Sequence, residues 1–137
     1  MPWETAPVQT KEDVRAKLRD FDWYREKFLC IRPREGGERI PFILNNAQRV
    51  LHARIEEERK TFGMVRALIP KARRMGVSTY VGGRFFHQTA TQFGRRSQVV
   101  AHRTDSAANL HREIKEFCAG LPPALRTSGG ATNSYEL

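Results

Sequence analysis

Apolar residues recur along this 137-residue chain in two rhythms, helical and strand-like, and the changes between them mark out the predicted elements. Thr10 to Asp13 reads as a capping box with an acid at its fourth position, opening a helix through Val14, Leu18 and Phe21. The following DFDWYREKF completes a lid or buttress against the core, with Trp23 and Tyr24 packing rather than stacking on a ligand. Phe28 to Ile43 has the pattern of a hairpin: FLCIR, a PREGG turn whose Gly36 and Gly37 supply positive φ angles, then ERIPFI. Asn45 or Asn46 caps a second helix that runs through Ala47, Val50, Leu51 and Ile55 and ends near Gly63. Its Glu56-Glu57-Glu58 and Arg59-Lys60 form a solvated end, with the cations at the favourable terminus.

The second half turns to strand periodicity. Met64 to Ile69 reads as a short buried strand, Pro70 to Val77 as a tight loop, and Ser78-Thr79 as the opening of a helix carrying Tyr80, Val81, Phe85 and Phe93, with Gly94 as its stop. SQVVAH, residues 97–102, reads as a second strand. Two strands joined by a helical crossover lie parallel in one sheet, and Gly82-Gly83 would let the crossover helix pack closely on that sheet. Asp105 or Ser106 caps a further helix with Ala107, Leu110, Ile114 and Phe117 on one face, ended by Gly120 and Pro122-Pro123. The expected fold is therefore α/β: a partial P-loop NTPase fold, a parallel sheet flanked by helices, preceded by an N-terminal helix and a hairpin.

Composition sharpens this picture in one respect. The formal charge is +9, yet residues 59–112 hold eleven Lys or Arg against the single acid Asp105, so the whole basic excess lies in that stretch. Such a concentrated field attracts polyanions, either nucleotide phosphates or a nucleic-acid backbone. Arginine outnumbers lysine eighteen to six, which suits bidentate phosphate contacts, although a GC-rich coding sequence produces the same bias. No apolar run approaches the ~20 residues that cross a bilayer. The start, MPWETAPVQTKED, has neither the basic beginning nor the apolar centre of a secretory signal. Cys30 and Cys118 form no CxxC pair and read as reduced core thiols. The four histidines have no zinc-ligand spacing, so no protein-bound zinc is expected.

The chemistry is concentrated in the loop. A helix start leaves N–H groups without partners and carries partial positive charge, so an anion docks there when the backbone can approach. Gly76 removes the β-carbon where that approach is tightest, and Ser78 follows it by two residues, where a GxxxxGK[ST] loop places its Mg²⁺-binding hydroxyl. Pro70 replaces the first glycine, Val77 fills the lysine slot, and the lysine stands early, at Lys71. On spacing alone two readings stay open: a nucleotide loop, or a solvated basic turn followed by an ordinary helix cap.

Three segments in order, PFILNNAQRVL, KARRMGVST and SQVVAHRTDSAANL, resemble the start of the large terminase subunit of tailed bacteriophages, the ATP-driven motor that threads DNA into a capsid. The first is similar to that family's adenine-recognition motif and the second to its deviant Walker A loop with an early lysine. The third is similar to the strand and helix that follow the loop. The resemblance covers roughly residues 28–125 and implies three regions. Residues 1–27 would be a helical lid or buttress, 28–125 the first part of the ATPase domain, and 126–137 a polar tail at a truncation point.

By position, the resemblance implies that Gln48 reads the adenine edge. Lys71 and Arg73 would face the triphosphate, Arg74 would add charge beside the phosphates, Gly76 would permit close backbone approach, and Val77 would belong to the same nucleotide-binding loop. Ser78 would bind Mg²⁺ through its hydroxyl, and Thr79 would support the phosphate cradle. Arg73 remains open between phosphate contact and bracing of the loop, and Arg74 stands where the family most often has glutamine. ATP and Mg²⁺ are the implied cofactors. The implied partners are double-stranded DNA, the portal protein and the small terminase subunit, with a ring of copies for the full-length protein and no membrane. The implied location is the cytoplasm of the bacterial host, at the procapsid.

Hydrolysis by this family needs an apolar strand ending in an acidic pair, and its nuclease needs a carboxylate cluster; the sequence contains neither. The chain is therefore expected to be the N-terminal piece of a longer ATPase, binding nucleotide weakly and hydrolysing little or none. Two other functions compete: a non-catalytic basic DNA-binding module, and the first lobe of a nucleic-acid helicase. The early lysine and Val77 argue against the helicase.

Overall fold

The computed structural model describes residues 10–126, which carry five α-helices, one short hairpin and a 3₁₀ turn. Thr10 and Asp13 form the expected capping box and open α1, Lys11–Arg19. The helix does not continue to Phe21. Asp20 takes an extended conformation, and its carboxylate accepts from the Trp23 N–H at 3.1 Å, ending α1 and starting a separate helix α2, Phe21–Phe28. β1, Cys30–Ile31, pairs antiparallel with β2, Ile40–Pro41, in the register Cys30↔Pro41. α3, Asn46–Phe62, is capped by Asn45 and closed by Gly63 in the left-handed conformation. α4 spans Val77–Thr91 and α5 spans Thr104–Gly120, followed by a 3₁₀ turn at Pro123–Leu125. Asp105 lies inside the first turn of α5, paired with Arg103 at 3.0 Å; Arg103, not Asp105 or Ser106, holds the N-cap position, and its side chain does not cap the helix N–H groups. The expected lid at 1–27 and tail at 126–137 fall partly outside the described residues, at 1–9 and 127–137.

The parallel sheet of a P-loop NTPase fold, expected from the sequence, is not present: among the described residues the sheet is the antiparallel β1–β2 pair. Residues 64–69 and 97–102, both expected as strands, have no regular secondary structure. A strand exists only where its backbone groups meet a neighbouring ladder. In these two stretches the one backbone group bonded within the described residues is the Arg66 N–H, which donates to Glu58 Oε1 at 3.1 Å. Their side chains are not buried either: Leu68 is 98 % exposed and Val100 83 %. The apolar pattern marked residues suited to a sheet but does not provide the sheet.

α4 takes the central position instead. Tyr80 and Phe86 on its inner face join Phe21 and Tyr24 of α2, Leu29, Phe42 and Phe117 of α5 in one core. Trp23 lies edge-on to Phe28, and Tyr24 packs on Phe28 and His87, so both rings pack within the helical shell. The two glycines of α4 face α5 and the hairpin rather than a parallel sheet. A β-carbon on Gly83 would lie 3.1 Å from the Phe42 ring, which is itself 1 % exposed, so a methyl group there would require that buried ring to shift by a few tenths of an ångström. Cys30 and Cys118 are free thiols, each half-buried. Among the described residues no helix is long and apolar enough to cross a membrane.

Polar bonds fix α4 to its neighbours. His52 Nε2 faces Asp22 Oδ2 at 2.9 Å; a carboxylate only accepts, so Nε2 carries a proton, while Nδ1 is hydrogen-bonded with the Tyr80 hydroxyl at 2.8 Å. Burial pushes the Tyr80 hydroxyl up to about 12. Arg84, nearly buried, donates to Glu56 Oε1 at 2.5 Å, and Arg59 donates to Glu56 Oε2 at 2.8 Å. Burial alone would raise the Glu56 carboxyl, but its bonds to Arg84 and Arg59 outweigh this and hold it below its usual range. Glu56, read as part of a solvated end, is therefore half-buried in an ion pair.

His87 joins α4 to α1. Its Nε2–H donates to the Leu18 carbonyl at 2.8 Å, and the ring lies among Phe21, Tyr24 and the Arg84 charge. Burial holds the imidazole below its ordinary value of 6.5, only partly opposed by the bond to Leu18. The unfolded chain thus takes up this proton first. The His87 contribution is intact above about pH 6.5 and is lost as the pH falls below it. The urea midpoint of the chain is expected to drop between pH 7.5 and pH 5, and to drop less in His87→Gln, which keeps a donor for Leu18; equal drops would assign the acid sensitivity elsewhere.

Candidate functional site

The turn entering α4 is built from two left-handed residues, Arg74 at φ 65° and Gly76 at φ 73°. Arg74 pays a steric penalty there that glycine does not. At Gly76 a side chain is excluded twice, by φ and by space: its β-carbon would stand 2.6 Å from Gln48 Nε2 and 3.2 Å from Asn45 Nδ2. Those two amides come from the start of α3. Asn45 and Gln48 form a reciprocal capping box, Gln48 N–H donating to Asn45 Oδ1 and Asn45 N–H to Gln48 Oε1, both at 2.9 Å. The second ends of the same side chains reach the loop, where Gln48 Nε2 donates to the Gly76 carbonyl at 2.8 Å and Asn45 Nδ2 to the Met75 carbonyl at 3.3 Å. The cap of one helix thus ties down the turn before the next.

With its carbonyls held, the turn leaves its donors free. α4 has no side-chain cap, and the N–H groups of Val77, Ser78 and Thr79 have no partner among the described residues. Lys71, Arg73 and Arg74 are exposed and make no ion pair or hydrogen bond there. Successive amides in such a turn form a concave donor set, and the helix dipole adds to it. Ser78 is exposed at the first turn, while Val77 is 7 % exposed and buried.

The fold brings in one residue that spacing could not indicate. Thr79 Oγ1 donates to Glu113 Oε2 at 3.2 Å, thirty-four residues away on α5. Glu113 and Ser78 both line a cleft of about 310 Å³ between α4, α5 and residues 98–100. On the other side of the loop, Lys71 and Met75 border an apolar trench of about 490 Å³ against α3. Ser78 and Glu113 thus bring a hydroxyl and a carboxylate to the wall of one cleft beside the start of α4. Among the described residues no three His, Cys, Asp or Glu side chains cluster as a metal site.

Of the residues expected at a nucleotide site, the fold gathers Gln48, Gly76, Val77, Ser78 and Thr79 at one helix end, with Lys71, Arg73 and Arg74 on the loop before it. Gln48 is 4 % exposed, and both ends of its amide are engaged with protein. Its capping-box spacing, Asn45 with Gln48 three residues on, was the sequence signal for this tie. Comparison of the chain with protein-family models, curated proteins and solved structures finds no match in any of the three.

Gln48→Glu separates the two jobs of that side chain. A carboxylate preserves the acceptor for the Asn45 N–H but loses the donor to Gly76 and sets an oxygen against the carbonyl. The expected loss is about 1–3 kcal/mol by urea unfolding, despite the favourable charge at a helix start. An unchanged or raised stability would show that the Gly76 bond contributes little.

Proposed function

We propose that the chain binds the triphosphate of ATP with Mg²⁺ at the amino end of α4, as the nucleotide-binding portion of a DNA-packaging motor of the tailed-phage terminase type. The observation that carries this reading is the uncapped start of α4: three unpartnered N–H groups, opened by Gly76 and flanked by three cations without ion pairs. In this reading Lys71 reaches the terminal phosphates from the early side of the loop, and Arg73 and Arg74 add charge beside them. Ser78 gives its hydroxyl to Mg²⁺. Thr79, whose hydroxyl is already donated to Glu113, serves through its N–H.

The order of the three segments supports the packaging-motor assignment. Under it, double-stranded DNA, the portal protein and the small terminase subunit are the partners, copies of the full-length protein assemble as a ring, and the place of action is the host cytoplasm at the procapsid. Glu113 is engaged with Thr79, and the sequence offers no apolar strand ending in two acids to activate water. The chain is accordingly a nucleotide holder with little or no turnover by itself. The basic DNA-binding module stays as a second reading because Arg96 and the loop cations are all unpaired among the described residues.

Titration of a fluorescent Mg-ATP analogue tests the assignment. Lys71→Ala and Ser78→Ala are each expected to weaken analogue binding by roughly 10- to 100-fold, the loss of one charge-assisted contact, while salt-sensitive DNA affinity largely survives. If both variants bind the analogue as the parent does and lose only DNA affinity, the basic-module reading replaces this one.

A further inference from the structure

The opposite end of α4 carries a second construction. After Thr91 the chain turns sharply through residues 92–96, with Gly94 at φ 75°. Both feet of the turn are pinned. Arg95 N–H donates to the Gln92 carbonyl at 3.4 Å and Arg95 Nε to Gln92 Oε1 at 3.1 Å. Ser97 Oγ bonds Thr89 Oγ1 at 2.7 Å and donates to the Phe85 carbonyl at 3.4 Å. At the tip of this braced turn Phe93 is 108 % exposed, more open than in an extended chain, and its ring packs on no other ring among the described residues. Arg96 makes no ion pair or hydrogen bond among the described residues, and Arg95 bonds only the neutral Gln92 amide. The nearest acid along the chain, Asp105, is taken by Arg103 at 3.0 Å.

A braced turn that exposes a whole aromatic ring two and three residues before guanidiniums without ion pairs makes no packing contribution to the fold. We propose that the turn from Gln92 to Ser97 binds an unpaired nucleic-acid strand, with Phe93 stacking on a base while Arg95 and Arg96 take the flanking phosphates. Every base offers a π-face, so a single exposed ring reads no sequence, and guanidiniums pair with phosphate whatever the base. A duplex keeps its bases stacked internally and leaves the ring without a partner, so the strand is single. The excess of positive charge over residues 59–112 supplies the attraction. A lipid surface is the poorer fit, because one ring and two charges fall short of the two signals that stable anchoring takes. This inference does not rest on the nucleotide reading: the fifteen residues of α4 set the two ends about 22 Å apart.

Fluorescence anisotropy on the full chain with a labelled oligo(dT) strand, a hairpin duplex of equal charge, and phosphatidylserine vesicles tests it. The strand is expected to bind more tightly than the duplex. Phe93→Ala, which removes no internal contact, should weaken the strand about 5- to 100-fold, and Phe93→Trp should restore it. Arg95→Ala with Arg96→Ala should lower the slope of log affinity against log salt by roughly 1.4, the value for two phosphates of a single strand. Mg-ATP analogue affinity should stay at the parent value in all three variants. Oligo(dT) binding indifferent to Phe93, a preference for the duplex, or a Phe93 requirement confined to the vesicles would each overturn the proposal.

Discussion

The carboxamide of Gln48 bridges the start of α3 and the turn into α4, and the geometry of the loop follows from that bridge. Its oxygen closes the cap of α3 on the Asn45 N–H, and its nitrogen holds the Gly76 carbonyl. Each group left unsatisfied at a site this buried costs about 1–3 kcal/mol, more than the ~0.3–1 kcal/mol of a helix-dipole contact at an exposed end. The hydrogen bonds, rather than the dipole, therefore set the shape of the turn. Once both carbonyls of residues 75 and 76 face α3, the N–H groups that follow have only the outside to face.

The rest of the molecule keeps that geometry in place by fixing α4 as a rigid axle. Asp22, His52 and Tyr80 tie three helices near its start, and Glu56 with Arg84 ties it again one turn later. Phe42 and Phe117 close on Gly83 and Gly82 from the other side, so the helix cannot slide without opening the core. At the far end the Ser97 hydroxyl pins the next turn back onto α4. One helix thus presents two differently equipped ends, amides with loop cations at one and an aromatic ring with guanidiniums at the other.

Local signals were legible in the sequence where the cause is local. The Thr10 capping box, the Gly36-Gly37 hairpin, the Asn45 cap and the helix opened beside Gly76 all depend on residues within a few positions of one another. The absence of a parallel sheet was not legible, because the apolar runs at 64–69 and 97–102 state a preference for strand but not whether there is a ladder to join. The division at Asp20 was hidden because DFDWYREKF looks like the continuation of a helix until the aspartate is seen to cap a new one. Glu113 beside Thr79, and Glu56 beneath Arg84, join residues too far apart in sequence for any periodicity to report. Gln48 was singled out by resemblance for a ligand role; the spacing that makes it a capping partner was present in the same few residues.

The central claim is that the clamp on the turn holds the first amides of α4 open for a triphosphate. Backbone ¹H–¹⁵N resonances followed during titration with Mg²⁺ and a non-hydrolysable ATP analogue address it directly. The account predicts the largest shifts at Gly76, Val77, Ser78 and Thr79, with the Gln48 side-chain amide staying bonded and distinct. Saturable binding that leaves those four amides unmoved, with the shifts gathered elsewhere on the chain, would contradict it.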